Sequence, residues 1–223
     1  MNQITLLIVE LILCLATLVI VYKKYSKTGL YIYSTIALIL ASIMSLKTIT
    51  LYDYDVNLGI IPFVTIFTAS NILIQKHGQE EAKKLLLITV IMSLISYSIL
   101  YLISLMKSSN INLFMSASYN NIFNGSLRMY FAIFVTALYS QLLNIKLYYY
   151  LKKIKNNIMI SNIFSTIIIH FIASILFGLI AYIFTKDSLD IIKIIMIRYL
   201  ASISIGTLST IVIYIANIIK EKE

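Results

Sequence analysis

Apolar residues in this chain come in long unbroken runs rather than in alternation. Seven runs approach the roughly 20 residues that a helix needs to cross the hydrocarbon layer: about 4 to 22, 29 to 46, 57 to 75, 85 to 106, 129 to 148, 158 to 185 and 191 to 218. Ile, Val and Thr are frequent, yet an outer-membrane barrel would show a dyad of apolar and polar positions, which these runs lack. Backbone groups in lipid must be satisfied within their own segment, so the runs predict helices. The expected fold is all-α: a polytopic transmembrane helical bundle of about seven spans.

Between the runs the connections are short, which favours antiparallel neighbours. The exception is residues 107–128, rich in Ser and Asn. Loops of that length are often functional, and its "LFMSAS" and "IF" stretches suit the membrane interface. "KHGQEEAKK", residues 76–84, reads as a helix stop at Gly78 followed by a new start. Glu80 and Glu81 sit where a helix dipole favours negative charge.

Composition agrees with the pattern: of 223 residues 60% are hydrophobic and 12% charged, with mean hydropathy +0.93. The net charge of +9 would suit nucleic acid, but its placement argues otherwise. Lys23, Lys24, Lys27, Lys76, Lys83, Lys84, Lys146, Lys152, Lys153, Lys155, Lys220 and Lys222 fall after or near the ends of spans one, three, five and seven. The positive-inside rule then places the N-terminus outside and the C-terminus in the cytoplasm of a multi-pass protein of the inner cell membrane. The basicity is topological, and no nucleic-acid partner is expected.

Cys14 is alone, and His77 and His170 have no supporting ligand set, so neither disulfide, metal site nor cofactor is expected. The first run has no Lys or Arg before it and no small-residue cleavage site after it, and is read as a mature helix. Glu10 within it is an uncommon intramembrane acid, close enough to the N-terminus to reach the outer interface. There is no P-loop, HExxH, GxSxG or intramembrane carboxylate pair, and the chain is not expected to be an enzyme.

The polar residues inside the runs are spaced to share helix faces. Asn71 and Gln75 are four apart in the third run, Gln141 and Asn144 three apart in the fifth. Asn162, Thr166, His170 and Ser174 form an i+4 stripe in the sixth, and Arg198, Ser202, Gly206 and Thr210 another in the seventh. Small residues on such faces serve close helix packing, and amides also bond across interfaces. An unpaired polar group in lipid costs on the order of 2 to 7 kcal/mol, so the amides with His170 and Arg198 suggest a shared polar cavity. Amides offer donors and acceptors together, which suits a flat, neutral, nucleobase-like solute.

Several segments together resemble the queuosine precursor transporter family, also called the vitamin uptake transporter (VUT) family, over nearly all the chain after the first span. "ASIMSLKTITLYDYDVNLG" is similar to a family stretch with Asn, then Lys five residues on, then Gly; Ser42 replaces the Asn, while Lys47 and Gly59 match. "TASNILIQKHGQEEAKK" resembles the family's "SDILTEVYGKKRA". "GSLRMYFAIFVTALYSQLLNIKLYYYLKK" resembles its arginine-led span, through Arg128, Ser140, Gln141, Leu143, Lys152 and Lys153. "SNIFSTIIIHFIASILF" resembles "RNNGSTLISQLIDTVIF", through Asn162, Ser165, Thr166 and Phe177. The last span matches weakly, through Thr210 and Tyr214.

The departures are chemical. Asn71 and Gln75 stand where the family has acids, Asn144 and Ala173 replace later acids, His170 replaces a Gln, and Ser202 stands at a last-span lysine with Arg198 one turn before it. The resemblance implies a six-span core over residues 28–223, with residues 1–27 as an added span and basic loop, forming one integral membrane domain. It implies import of a 7-deazaguanine base or nucleoside such as preQ0, preQ1 or queuine. Lys47, Asn71, Gln75, Arg128, Gln141, Asn144, Thr166, His170 and Arg198 are the expected substrate-binding residues. Two other readings stay open: the substrate-binding subunit of an ATP-energised vitamin importer, with an ATPase module or a second copy as partner, and a membrane protein that does not transport.

Overall fold

A computed structural model describes residues 2–52, 54–124 and 127–219. Lys220 and Lys222, part of the expected basic side, lie outside them. The architecture is the expected helical bundle, with eight α-helices among the described residues.

The first helix, α1 (Gln3–Met44), is one run broken at Ser26, whose φ of 50° and ψ of −137° are not helical. The chain reverses there. Gly29 lies against the backbone of Val21, too close for any Cβ, and Leu13, Cys14 and Thr17 line one groove with Tyr33, Ile36 and Ala37. The two limbs, residues 3–25 and 27–44, are therefore antiparallel and correspond to the first two expected spans. Lys23, Lys24 and Lys27 flank the reversal, where charges stay in water.

Residues 48–57 are a structure that the apolar runs conceal. Strands β1 (Thr48–Leu51) and β2 (Tyr54–Asn57) form an antiparallel hairpin, its turn at Tyr52 with φ of 48°. Asn57 folds the hairpin back: its Nδ2 donates to the Ser45 carbonyl at 2.7 Å, and its Oδ1 accepts from the Gly59 amide at 3.0 Å.

Helix α2 (Ile60–Lys76) follows, and every residue from Ile60 to Ile74 is buried. A helix apolar nearly all round belongs at the centre of a bundle, and α2 packs on α1, α3, α5, α7 and α8. Around it stand α3 (Gln79–Ser104), α5 (Leu127–Lys155), α6 (Ile158–Tyr182) and the pair α7 (Ser188–Leu208) and α8 (Thr210–Ile218), interrupted at Ser209. The polar 107–128 interval contains α4 (Leu113–Phe123), which carries exposed Phe114 and Met115. It is tied to α3 by Tyr119 OH to the Leu100 carbonyl and by Tyr97 OH to the Phe123 carbonyl. Among the described residues five runs are long and apolar enough to cross a membrane: α1, α3, α5, α6 and α7 with α8.

Three connections and the end of α8 meet at one end of the bundle. Lys27 and Tyr31 reach Glu81, Lys76 donates to the Asn217 carbonyl at 2.7 Å, and Lys152 donates to the carbonyls of Ile74 and Gln75 at 2.9 and 3.1 Å. This basic end gathers the lysines that the charge pattern places on one side. The hairpin lies at the opposite end, beyond the N-terminus of α2.

Candidate functional site

The interior polar residues are arranged in tiers along α2, where Gln75, Asn71, Phe67 and Phe63 recur every four residues, each about 6 Å further from the basic end. On the first tier Gln75 Nε2 donates to Tyr148 OH at 2.8 Å, half-buried beneath the Lys152 cap.

The second tier is a relay of three asparagines. Asn144 Nδ2 donates to Asn71 Oδ1 at 2.9 Å, and Asn71 Nδ2 donates to Asn162 Oδ1 at 2.9 Å. Asn162 Nδ2 then donates to Thr210 Oγ1 at 2.7 Å and to the Gly206 carbonyl at 3.0 Å. All three amides are at most 2% exposed. The relay joins α5, α2, α6 and the α7–α8 break in one direction. It consumes donor and acceptor capacity that would otherwise stand unpaired at a cost of several kcal/mol.

The third tier is less satisfied. The His170 ring packs on Phe67 with centroids 4.6 Å apart, and its Nδ1 has no hydrogen-bond partner. Gln141 is buried, with both amide atoms unpaired, beside a small void lined by Phe63, Phe67 and Thr89 that has room for about one water molecule. Thr166 faces Gly206, where an added Cβ would come within 2.6 Å of its Cγ2. Close approach of α6 and α7 therefore requires glycine there.

Arg198 forms the fourth tier. It is 5% exposed, and its guanidinium carbon lies 3.9 Å from the Phe177 ring centroid and 5.1 Å from that of Phe63. Its Nη1 has no hydrogen-bond partner.

The stripes on α6 and α7 thus face each other in antiparallel order, Asn162 meeting Thr210 and Gly206, Thr166 meeting Gly206, and Phe177 meeting Arg198. Seven of the nine expected residues fall on this column: Asn71, Gln75, Gln141, Asn144, Thr166, His170 and Arg198. Two do not. Arg128 is 16 positions before Asn144 on α5, about 24 Å along the helix, where its Nε donates to the Ile180 carbonyl at 2.8 Å and its guanidinium covers Phe184. Lys47 is exposed at the start of the hairpin. Nor is the expected polar cavity open: the amides on the second tier bond to one another.

Other participants were outside the expected set. Asn162 lies on the α6 stripe, but its place in the relay depends on α2, α7 and α8. Phe67 is one turn before Asn71 and Tyr148 one turn after Asn144, so a helical-face search would have reached both. Phe63 and Phe177, the rings that hold Arg198, had no such signal.

Residues 57–216 match the family described as "Putative vitamin uptake transporter". The match begins at β2 and contains every tier of the column. A "Probable queuosine precursor transporter" of Bacillus subtilis (strain 168) is 35% identical over 63 residues, which cover 28% of this chain and 28% of that relative's length. No solved structure matches.

Proposed function

The chain belongs to the vitamin uptake transporter family, and on that premise we propose that this membrane transporter imports a queuosine precursor, a 7-deazaguanine base or nucleoside, across the inner membrane. The observation that carries the reading is the column itself. In a bundle whose second tier satisfies its own amides, Gln141, His170 and Arg198 remain buried with polar atoms unpaired. A heterocycle with donors and acceptors on its edge supplies the missing partners, and Phe67 supplies a face for its ring. The name of the Bacillus subtilis relative supports the same solute class.

In this reading the protein is a transporter and not an enzyme, and binds its solute near the membrane midplane. Gln141 and His170 bond the heterocycle's edge with Thr166 beside them, while the Asn144–Asn71–Asn162 relay forms the floor on the side of the basic end. Arg128 and Lys47 act at the opposite end, outside the site. The basic end faces the cytoplasm, by the positive-inside rule. Admission of a solute requires the third and fourth tiers to part, and the break at Ser209 between α7 and α8 is a natural pivot, as interrupted helices are in other transporters.

The test is uptake of labelled preQ0, preQ1, queuine and queuosine by cells that lack their own precursor synthesis and import and express this chain. Queuosine restored in tRNA by one of them supports the reading. No uptake of any, with the protein shown to be inserted and folded, rejects it. Replacing Asn71 and Gln141 together by Leu should abolish uptake while leaving insertion intact, and unchanged uptake would remove the proposed site.

A further inference from the structure

Arg198 is a buried cation for which the described residues supply no counter-ion. Its guanidinium makes neither an ion pair nor a hydrogen bond to any of them, and it is held by the faces of Phe177 and Phe63 alone. Ring faces partly offset the loss of water around a cation, but they leave its N–H donors unused, and buried donors are normally paired. A narrow cleft lined by Asp55, Asn57, Ile60, Phe177 and Ile197 leads from the hairpin to Arg198. Asp55 is the carboxylate of that cleft. It is exposed on β2, accepts from Thr50 Oγ1 at 3.0 Å, and forms no ion pair with Arg198. Lys186, Asp190 and Lys193 lie beside it on the outer surface, with Lys193 3.7 Å from Asp190.

Resting on the deazaguanine reading above, we propose that Arg198 sets specificity by the charge of the substituent at C7: the site takes 7-deazaguanines that carry an acceptor there, a nitrile or a carboxylate, and rejects those that carry an ammonium. The planar fork of a guanidinium addresses two acceptors at once. The O6 carbonyl and a C7 acceptor of such a base lie side by side, a spacing suited to that fork. An aminomethyl group at C7 is protonated at neutral pH and would set a second cation against Arg198 in a region of low dielectric, where like charges repel strongly. The His170 and Gln141 groups on the tier below supply no negative charge to offset it.

The test measures uptake of labelled 7-cyano-7-deazaguanine in the same cells, with unlabelled 7-cyano-7-deazaguanine or 7-aminomethyl-7-deazaguanine as competitor. At least about tenfold more of the aminomethyl compound should be needed for half inhibition, a difference of about 1.4 kcal/mol. Arg198→Gln, which keeps donors but removes the charge, should narrow that ratio toward one. Equal competition in the parent protein overturns the charge-selection proposal and leaves the deazaguanine reading standing. Preference for the aminomethyl compound does the same and points to Asp55 as the selecting group. No uptake of labelled 7-cyano-7-deazaguanine, with the protein inserted, overturns this proposal, and the deazaguanine reading falls with it only if preQ1, queuine and queuosine are not taken up either. The parent ratio is decisive even if the Arg198 variant fails to fold.

Discussion

Asn144 donates its side-chain amide to Asn71 at 2.9 Å across 73 positions of sequence, and Asn71 donates in turn to Asn162. One amide at the centre of the bundle therefore serves two helices at once, with its oxygen turned to α5 and its nitrogen to α6.

Asn71→Leu should strand the Asn144 donor and the Asn162 acceptor. Each buried unpaired group costs about 1 to 3 kcal/mol, so the midpoint of thermal unfolding in detergent should fall, by about 2 to 4 °C for each kcal/mol. Asn71→Asp should fall less only at a pH low enough for its buried carboxyl to carry a proton, since the neutral acid keeps an acceptor toward Asn144 and an O–H donor toward Asn162, whereas the carboxylate is a buried charge facing the Asn162 oxygen. A leucine variant as stable as the parent would show that the relay contributes nothing to stability.

Gly206→Ala places a methyl 2.6 Å from Thr166 Cγ2. The expected result is a loss of about 1 to 3 kcal/mol from overpacking, seen as reduced thermal stability and uptake. Thr166→Ser removes the opposing methyl, and the double variant should recover much of the loss. If Gly206→Ala alone is silent, α6 and α7 are not held as closely as the structure shows.

Lys152 donates to the Ile74 and Gln75 carbonyls, at the end of a helix that has few other partners for them. Lys152→Met keeps the apolar stem and removes the cap, so detergent-solubilised protein should lose about 1 kcal/mol. Lys152→Arg should retain most of the stability, because it also presents donors. A methionine variant with unaltered unfolding would assign the lysine to topology alone.

Glu81, in the charged first turn of α3 before its apolar run, collects Lys84, Tyr31 and Lys27. These partners, the Lys84 bond foremost, hold its carboxyl well below the ordinary 4.5, at about 2. A depressed acid contributes stability that is present above its unfolded pKa and lost as pH falls toward the folded one. The solubilised protein should therefore lose stability between about pH 5 and pH 2, and Glu81→Gln should remove this part of the pH dependence. A glutamine variant with the parent's full acid profile would place the dependence elsewhere.

Orientation can be read with single cysteines in a Cys14→Ala background. Tyr52 at the hairpin turn is 82% exposed, and Asn156 joins α5 to α6 at the basic end. An impermeant maleimide should label Tyr52→Cys in intact cells and Asn156→Cys only after permeabilisation. The reverse pattern would invert the proposed topology.

Much of the column was legible because its signals are local. Four-residue spacing places Asn162, Thr166, His170 and Ser174 on one side of α6, and Arg198, Ser202, Gly206 and Thr210 on one side of α7, whatever the helices pack against. The reversal at Ser26 was marked by Lys23, Lys24 and Lys27, since charges collect where a chain re-enters water. The hairpin was less visible, because ten residues of mixed polarity between two apolar runs resemble any connecting loop.

Which faces meet was decided by tertiary structure. Arg128 and Arg198 are both expected from the sequence to bind the solute, but packing places one against the Ile180 carbonyl near the end of α6 and the other between two phenylalanines inside the bundle. Similarly, Gln141 and Asn144 are three residues apart on one face; only Asn144 meets Asn71, while Gln141 is left unpaired beside Phe67. By itself the sequence determined that the chain enters the membrane as helices, which residues share a face and which end is basic, because hydropathy and helical period act within a segment. The fold alone decided which amides are satisfied and which are left unpaired, because a hydrogen bond across a bundle depends on the depth and rotation of two helices at once.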